Sequence, residues 1–234
     1  MPTKEKIRTP LVVSIVGASK SGKTHLALTF EPPILVLSFD VKGVVPVLKK
    51  FEGKAIDVIT YPLPVIDSDP PKPYAKVLLD KFNKDYEDAL AGGRYKTIVV
   101  DPITTLWEIT RHAVEEDGTR LGKARTYTMP NLKMKAVFDR AICAGVNFVV
   151  INHVKDEYVE DKATGSQVMD GWKRTDTKAD VILWLRMEVK SIGGKKTVTT
   201  ITTIRGNWYN RELNGQEIED LTYEDLVTLL GLDE

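Results

Sequence analysis

Short apolar runs recur along the chain at LVVSIV (11–16), ILVLSF (34–39), TIVV (97–100), VNFVVI (146–151) and VILWL (181–185), each bounded by polar or glycine-rich residues. Runs this short with little polar alternation read as strands buried on both faces, the condition of a parallel sheet. Between them the period lengthens. Ala75, Leu78, Leu79, Phe82, Tyr86 and Ala89 share one helical face that ends at Gly92-Gly93, and Met134, Val137, Phe138 and Ala141 share another before Gly145. Strand and helix therefore alternate, which predicts an α/β fold.

TVTTITTI (197–204) alternates more weakly and, with VILWL, predicts an antiparallel edge beyond the parallel core. A closing helix follows, with Thr222 and Asp225 as its capping box and Leu226, Val227, Leu229 and Leu230 ahead of Gly231. Pro62, Pro64, Pro70, Pro71 and Pro73 crowd one stretch, which reads as a stiff surface loop rather than a linker because no second core follows it. A single domain over residues 1–234 is expected.

Composition narrows the class. With 42% hydrophobic and 28% charged residues, the chain can bury a core and is not a disordered or disulfide-built protein. Cys143 is alone, and His25, His112 and His153 are isolated, so the expectation is a reducing cytoplasm and no zinc. No run approaches the roughly 18 apolar residues of a membrane helix. A cleaved leader is not expected either, since cutting near Ala18 would destroy the motif described next. The net charge of zero hides an asymmetry: residues 212–234 hold eight acidic residues and no basic one, so the body is basic. Arg120, Lys123, Arg125, Lys133, Lys135 and Arg140 stand against Asp139 alone, which suits an anionic partner.

Gly17-Ala18-Ser19-Lys20-Ser21-Gly22-Lys23-Thr24 fits G-x-x-x-x-G-K-[ST] without deviation, between an apolar strand and the helical stretch HLALTF. In such a loop successive backbone N–H groups point at phosphates. Lys23 should neutralise the β and γ phosphates and Thr24 should place its hydroxyl on Mg²⁺, so a Mg-nucleotide is expected along these residues and His25. Asp101, closing KTIVVD, is the candidate second metal residue. Hydrolysis also needs a group that orients or deprotonates water. Asp40, ending ILVLSFD, is the candidate; Glu108, a turn or more into the next helix, competes, and a helix cap before Gly43 is the plainer role for Asp40. Asn152 and His153 end the VNFVVI strand, where a polar pair could sense the γ-phosphate.

With GASKSGKT, ILVLSFD, YKTIVVDPITTLWE, FVVINHVKDEY and KADVILWL in this order, the chain resembles, from about Leu11 to Arg205, the RecA-like ATPases of phages and their single-strand annealing relatives in the AAA-type ATP-binding group. The resemblance implies a RecA-like P-loop fold, a mainly parallel sheet flanked by helices with antiparallel edge strands. It implies ATP and Mg²⁺ as cofactors and Asp40 in the place of the catalytic carboxylate. His153 falls where the family carries its switch between nucleotide and DNA. Arg205 loosely matches the basic residue that reaches a neighbour's γ-phosphate. Pro102 stands where the family commonly has Ser.

The implied partners are single-stranded DNA, further copies of the chain and a single-strand-binding protein, with no membrane, in the host cytoplasm if phage-encoded. The two DNA loops would fall near 117–131 and 154–178. The first holds Arg120, Lys123, Arg125 and Tyr127; the second holds Tyr158 and Trp172-Lys173-Arg174, aromatics for bases beside cations for phosphates, though Asp156, Glu157, Glu160 and Asp161 also fit a solvated excursion. The expected function is a Mg-dependent, DNA-stimulated ATPase promoting annealing or strand exchange in recombination. A nucleotide-gated DNA-binding or loading module with little hydrolysis is the alternative, and a P-loop small-molecule kinase a third.

Overall fold

The computed structural model describes residues 9–63, 74–118, 127–192 and 195–233. The five apolar runs become the strands β1 (Val12–Gly17), β2 (Ile34–Ser38), β4 (Thr97–Asp101), β5 (Asn147–Val159) and the start of β7 (Val181–Ile192). Added to them are β3 (Ile56–Thr60), β6 (Lys162–Asp170), β8 (Lys195–Asn207) and β9 (Glu217–Glu219). They form one sheet in the order β3-β2-β4-β5-β1-β7-β8-β9, with β6 paired to β5. Pairing is parallel from β3 to β7, and β8 and β9 complete an antiparallel edge.

Helices cover the two faces. Packed on one are α1 (Lys23–Leu28), α2 (Val41–Leu48) and α7 (Tyr223–Leu229), whose Leu26, Leu28, Val44, Leu226 and Tyr223 meet Val13, Ile15, Val36 and Leu183. On the other are α3 (Ala75–Ala91), α4 (Ile103–Glu116) and α5 (Thr128–Ala144), whose Phe82, Tyr86, Leu106, Met134 and Phe138 meet Leu35, Leu37, Ile98, Val100 and Phe148. Successive strand residues point to opposite faces, so each apolar run supplies both cores, and each fully buried large side chain contributes about 1.5–3 kcal/mol. A short α6 (Thr175–Lys178) leads into β7. Among the described residues no helix is long and apolar enough to cross a membrane.

Several expectations change. The stretch 154–178 is largely a β-hairpin: β5 runs on to Val159, turns at Glu160 and Asp161 with φ of 51° and 61°, and returns as β6. The acidic C-terminal segment is folded on the sheet edge. Glu217 pairs with Arg186, Glu219 with Lys190, Asp220 accepts from Thr200 N, and Asp225 completes the expected capping box with Thr222. Two further elements stand outside the expected set: β3, a half-exposed edge strand with Asp57 and Thr60, and α2, whose helical apolar spacing at Val44, Val47 and Leu48 is interrupted by Pro46. Of the proline cluster, all but Pro62 lies outside the described residues.

Candidate nucleotide site

The glycine-rich loop leaves the buried strand β1 and closes on α1. Gly17 has no room for a side chain, since a Cβ there would lie 2.5 Å from Ser21 Oγ and 2.6 Å from the Leu185 carbonyl oxygen. Gly22 sits at φ +93°, a conformation that L side chains rarely adopt. Between them the loop curls around the Lys23 amine, which donates to the carbonyls of Gly17 at 2.8 Å and Ala18 at 2.6 Å. Lys23 is buried, and that burial pushes its pKa down against the opposing pull of Asp101.

Thr24 and Asp101, 77 positions apart in the chain, meet here: Thr24 Oγ1 donates to Asp101 Oδ2 at 2.8 Å. Asp101 is 6% exposed, and its pKa is pushed up to about 6, chiefly by burial and further by the charge of Asp40, while the Thr24 hydrogen bond and Lys23 oppose the rise. The Asp101-Pro102 peptide is cis, and Pro102 opens α4. Among the described residues there is no group of three or more His, Cys, Asp or Glu that could hold a metal ion by itself. That donor set fits Mg²⁺, which keeps several waters and takes one or two protein oxygens plus phosphate oxygens. Thr24 and Asp101 would hold it, and the ion would supply positive charge to the phosphates.

A cleft of about 710 Å³ joins the loop, Lys23, Thr24, His25, Asp40, Asp101 and His153, and its far wall is Met187, Val198, Thr200 and Asp220. Asp40 takes both of its expected places. It caps α2 by accepting from Gly43 N at 3.1 Å, and it lines the cleft. Gly43 is the residue that permits this, because a Cβ there would lie 2.5 Å from Asp40 Oδ2. Glu108 is exposed on α4 and does not line the cleft. His25 packs tilted against Phe51, ring centroids 5.0 Å apart, and burial followed by the nearby Lys50 charge lowers its pKa.

His153 reaches the cleft from the middle of β5, one residue past the end of its pairing with β1, and its pKa is lowered by burial and then by Lys23. Its backbone N–H donates to Thr104 Oγ1, whose own hydroxyl donates to the Asp170 carbonyl. Asn152 does not share the cleft. It is fully buried, and its Nδ2 donates to Ser14 Oγ across to β1. Thr104 ties α4, β5 and β6 together, and the sequence does not show it because nothing in ITTLWE sets Thr104 apart from Thr105.

Other candidates lie elsewhere. Trp172 is a correction: it is 1% exposed, packs 5.3 Å from Phe138, and donates from Nε1 to Asn131 Oδ1, so its ring belongs to the core and offers no face for a base. Lys173 and Arg174 beside it are exposed. Tyr127 lies under the Arg111 guanidinium at 5.6 Å, whereas Arg120, Lys123 and Arg125 fall outside the described residues. Arg205 is not in its own chain's nucleotide cleft. Its guanidinium stacks 3.7 Å from the Trp184 ring centroid in an adjoining cavity of about 790 Å³ that shares Ser19, Ser21 and Met187 with the cleft.

Compared with known families, residues 9–207 match the AAA domain. The chain belongs to this AAA domain family. The match spans the P-loop, both candidate carboxylates and Arg205, so every residue of the cleft except Asp220 lies inside the AAA domain. Among solved structures, a KaiC-like protein of the hyperthermophilic archaeon Pyrococcus horikoshii is similar, at 14% identity, a TM-score of 0.50, and coverage of 89% of this chain and 83% of that one. This likeness carries the fold: the AAA domain here is RecA-like. No curated protein matches the chain. The family and the site together make it a nucleotide-binding P-loop ATPase domain.

Proposed function

We propose that the protein is a Mg-dependent ATPase that binds single-stranded DNA, assembles on it and promotes annealing or strand exchange in recombination, in a phage or prophage setting. The observation that carries the ATPase part is the Thr24–Asp101 hydrogen bond beside the buried Lys23 amine, which gathers a metal-binding pair and a phosphate-binding cation at one point. Asp40 is the group that orients or deprotonates the attacking water, since it is a carboxylate within the cleft while Glu108 is not. The DNA part is supported by the exposed Lys173 and Arg174, which follow the β5–β6 hairpin, and by His153, which stands between the cleft and that hairpin. Arg205, held on Trp184 outside its own cleft, suits a basic residue offered to a neighbouring copy.

One observation favours a second reading, a nucleotide-gated module that hydrolyses slowly. The carboxylate of Asp40 is already engaged in capping α2, which competes with handling water. ATP turnover with and without oligo(dT) separates the two. The lead reading predicts Mg-dependent hydrolysis that rises at least about tenfold with DNA, and the gated module predicts DNA affinity that changes with ATP while turnover stays near background.

A further inference from the structure

β7 and β8 are longer than the sheet that holds them. The register of β1 with β7 ends at Gly17 opposite Leu185, and beyond it the two strands continue past β1 as an antiparallel hairpin tied on its β8 side to Glu219 and Asp220. Along one face of β7 the side chains Leu183, Leu185 and Met187 follow one another at the strand period of two. Leu183 and Leu185 are core residues, whereas Met187 is 48% exposed, as is Val198 of β8 at 57%. Both line the nucleotide cleft. Two apolar side chains held against water over a polar cleft imply something apolar that covers them.

The sheet order says which part of a nucleotide that is. Asp101 ends β4, which lies on one side of β1 beyond β5, and the hairpin springs from the other side of β1. The metal and the terminal phosphates belong at the Asp101 end. On that placement the part of the cleft away from Asp101, toward β7 and β8, is open to ribose and base. Thr200 brings the hairpin close to the loop there, since a Cβ on Gly22 would lie 3.1 Å from its Oγ1. From this geometry we infer that Met187 and Val198 are the platform on which the nucleotide base lies, and that they favour the larger purine ring over a pyrimidine through the apolar area covered. The inference rests on the nucleotide-binding reading of the cleft.

The test is calorimetric titration of the full chain, in Mg²⁺, with ATP, with CTP and with inorganic tripolyphosphate, which has no base. Met187→Ser with Val198→Ser changes only exposed side chains, and a thermal melt beside the parent checks folding. The expected result is ATP affinity about tenfold or more weaker, loss of the preference for ATP over CTP, and tripolyphosphate affinity within about twofold of the parent. ATP and tripolyphosphate weakening together, or ATP affinity unchanged while the oligomeric state shifts, would overturn the assignment, the latter giving this face to a second copy. Failure of the parent to bind either ATP or tripolyphosphate would instead sink the nucleotide reading itself.

Discussion

Asp101 is the residue where function costs stability. Its carboxyl belongs to a strand end that is 6% exposed, and burial lifts its pKa from 3.8 to about 6. A carboxyl that holds its proton more tightly folded than unfolded destabilises the fold when ionised. The penalty is therefore complete above about pH 6 and is relieved as pH falls from there toward 4. Asp101→Asn removes the charge and keeps an oxygen for Thr24, so it should stabilise the free protein at pH 7.5 by on the order of 2 kcal/mol while abolishing Mg-dependent hydrolysis. Thermal melts at pH 7.5 and pH 5 measure it; an Asn variant less stable than the parent at both would refute the burial argument. Lys23, Thr24 and the glycines were legible in the sequence because the loop's chemistry is set by neighbours in the chain. Trp172 was not. A Trp followed by Lys and Arg reads the same whether the ring lies on solvent or on Phe138, and only packing decides.

At the scale of elements, both-face burial made β1, β2, β4 and the first halves of β5 and β7 readable, and glycine stops and the capping box fixed α3, α5 and α7. The β5–β6 hairpin was not readable, because past His153 the strand leaves the core and its residues are mixed in charge with no buried face to impose alternation. This changes what the second DNA element can be. With Trp172 withdrawn into the core, the proposed role of the exposed Lys173 and Arg174 narrows to phosphate contact. Lys173→Ala with Arg174→Ala should weaken oligo(dT) binding alike for all sequences and lower the slope of log affinity against log salt by about 1.4, at roughly 0.7 per single-strand phosphate contact. Binding isotherms at several salt concentrations decide it, and an unchanged slope would remove these two residues from the DNA path.

For the whole molecule, the strand order brings residues from all four quarters of the chain to one cleft, and no local pattern announces that Thr24 will donate to Asp101. The same order leaves Arg205 in the cavity that adjoins its own cleft across Ser19, Ser21 and Met187, and the proposed role for it is therefore one offered to a neighbouring copy. Arg205→Ala should keep ATP binding and lose about a thousandfold in turnover, and mixing it with Lys23→Ala protein should restore activity at interfaces that pair an intact loop with an intact arginine. Full turnover by Arg205→Ala alone would end that role.

Every role proposed for the cleft requires the P-loop to hold a nucleotide through Lys23. Equilibrium binding of ATP in Mg²⁺ to the parent and to Lys23→Ala is the decisive measurement. The variant removes the buried cation aimed at the β and γ phosphates, and its expected affinity is lower by about a hundredfold in a protein that still melts cooperatively. A folded Lys23→Ala protein that binds ATP as tightly as the parent would contradict that requirement.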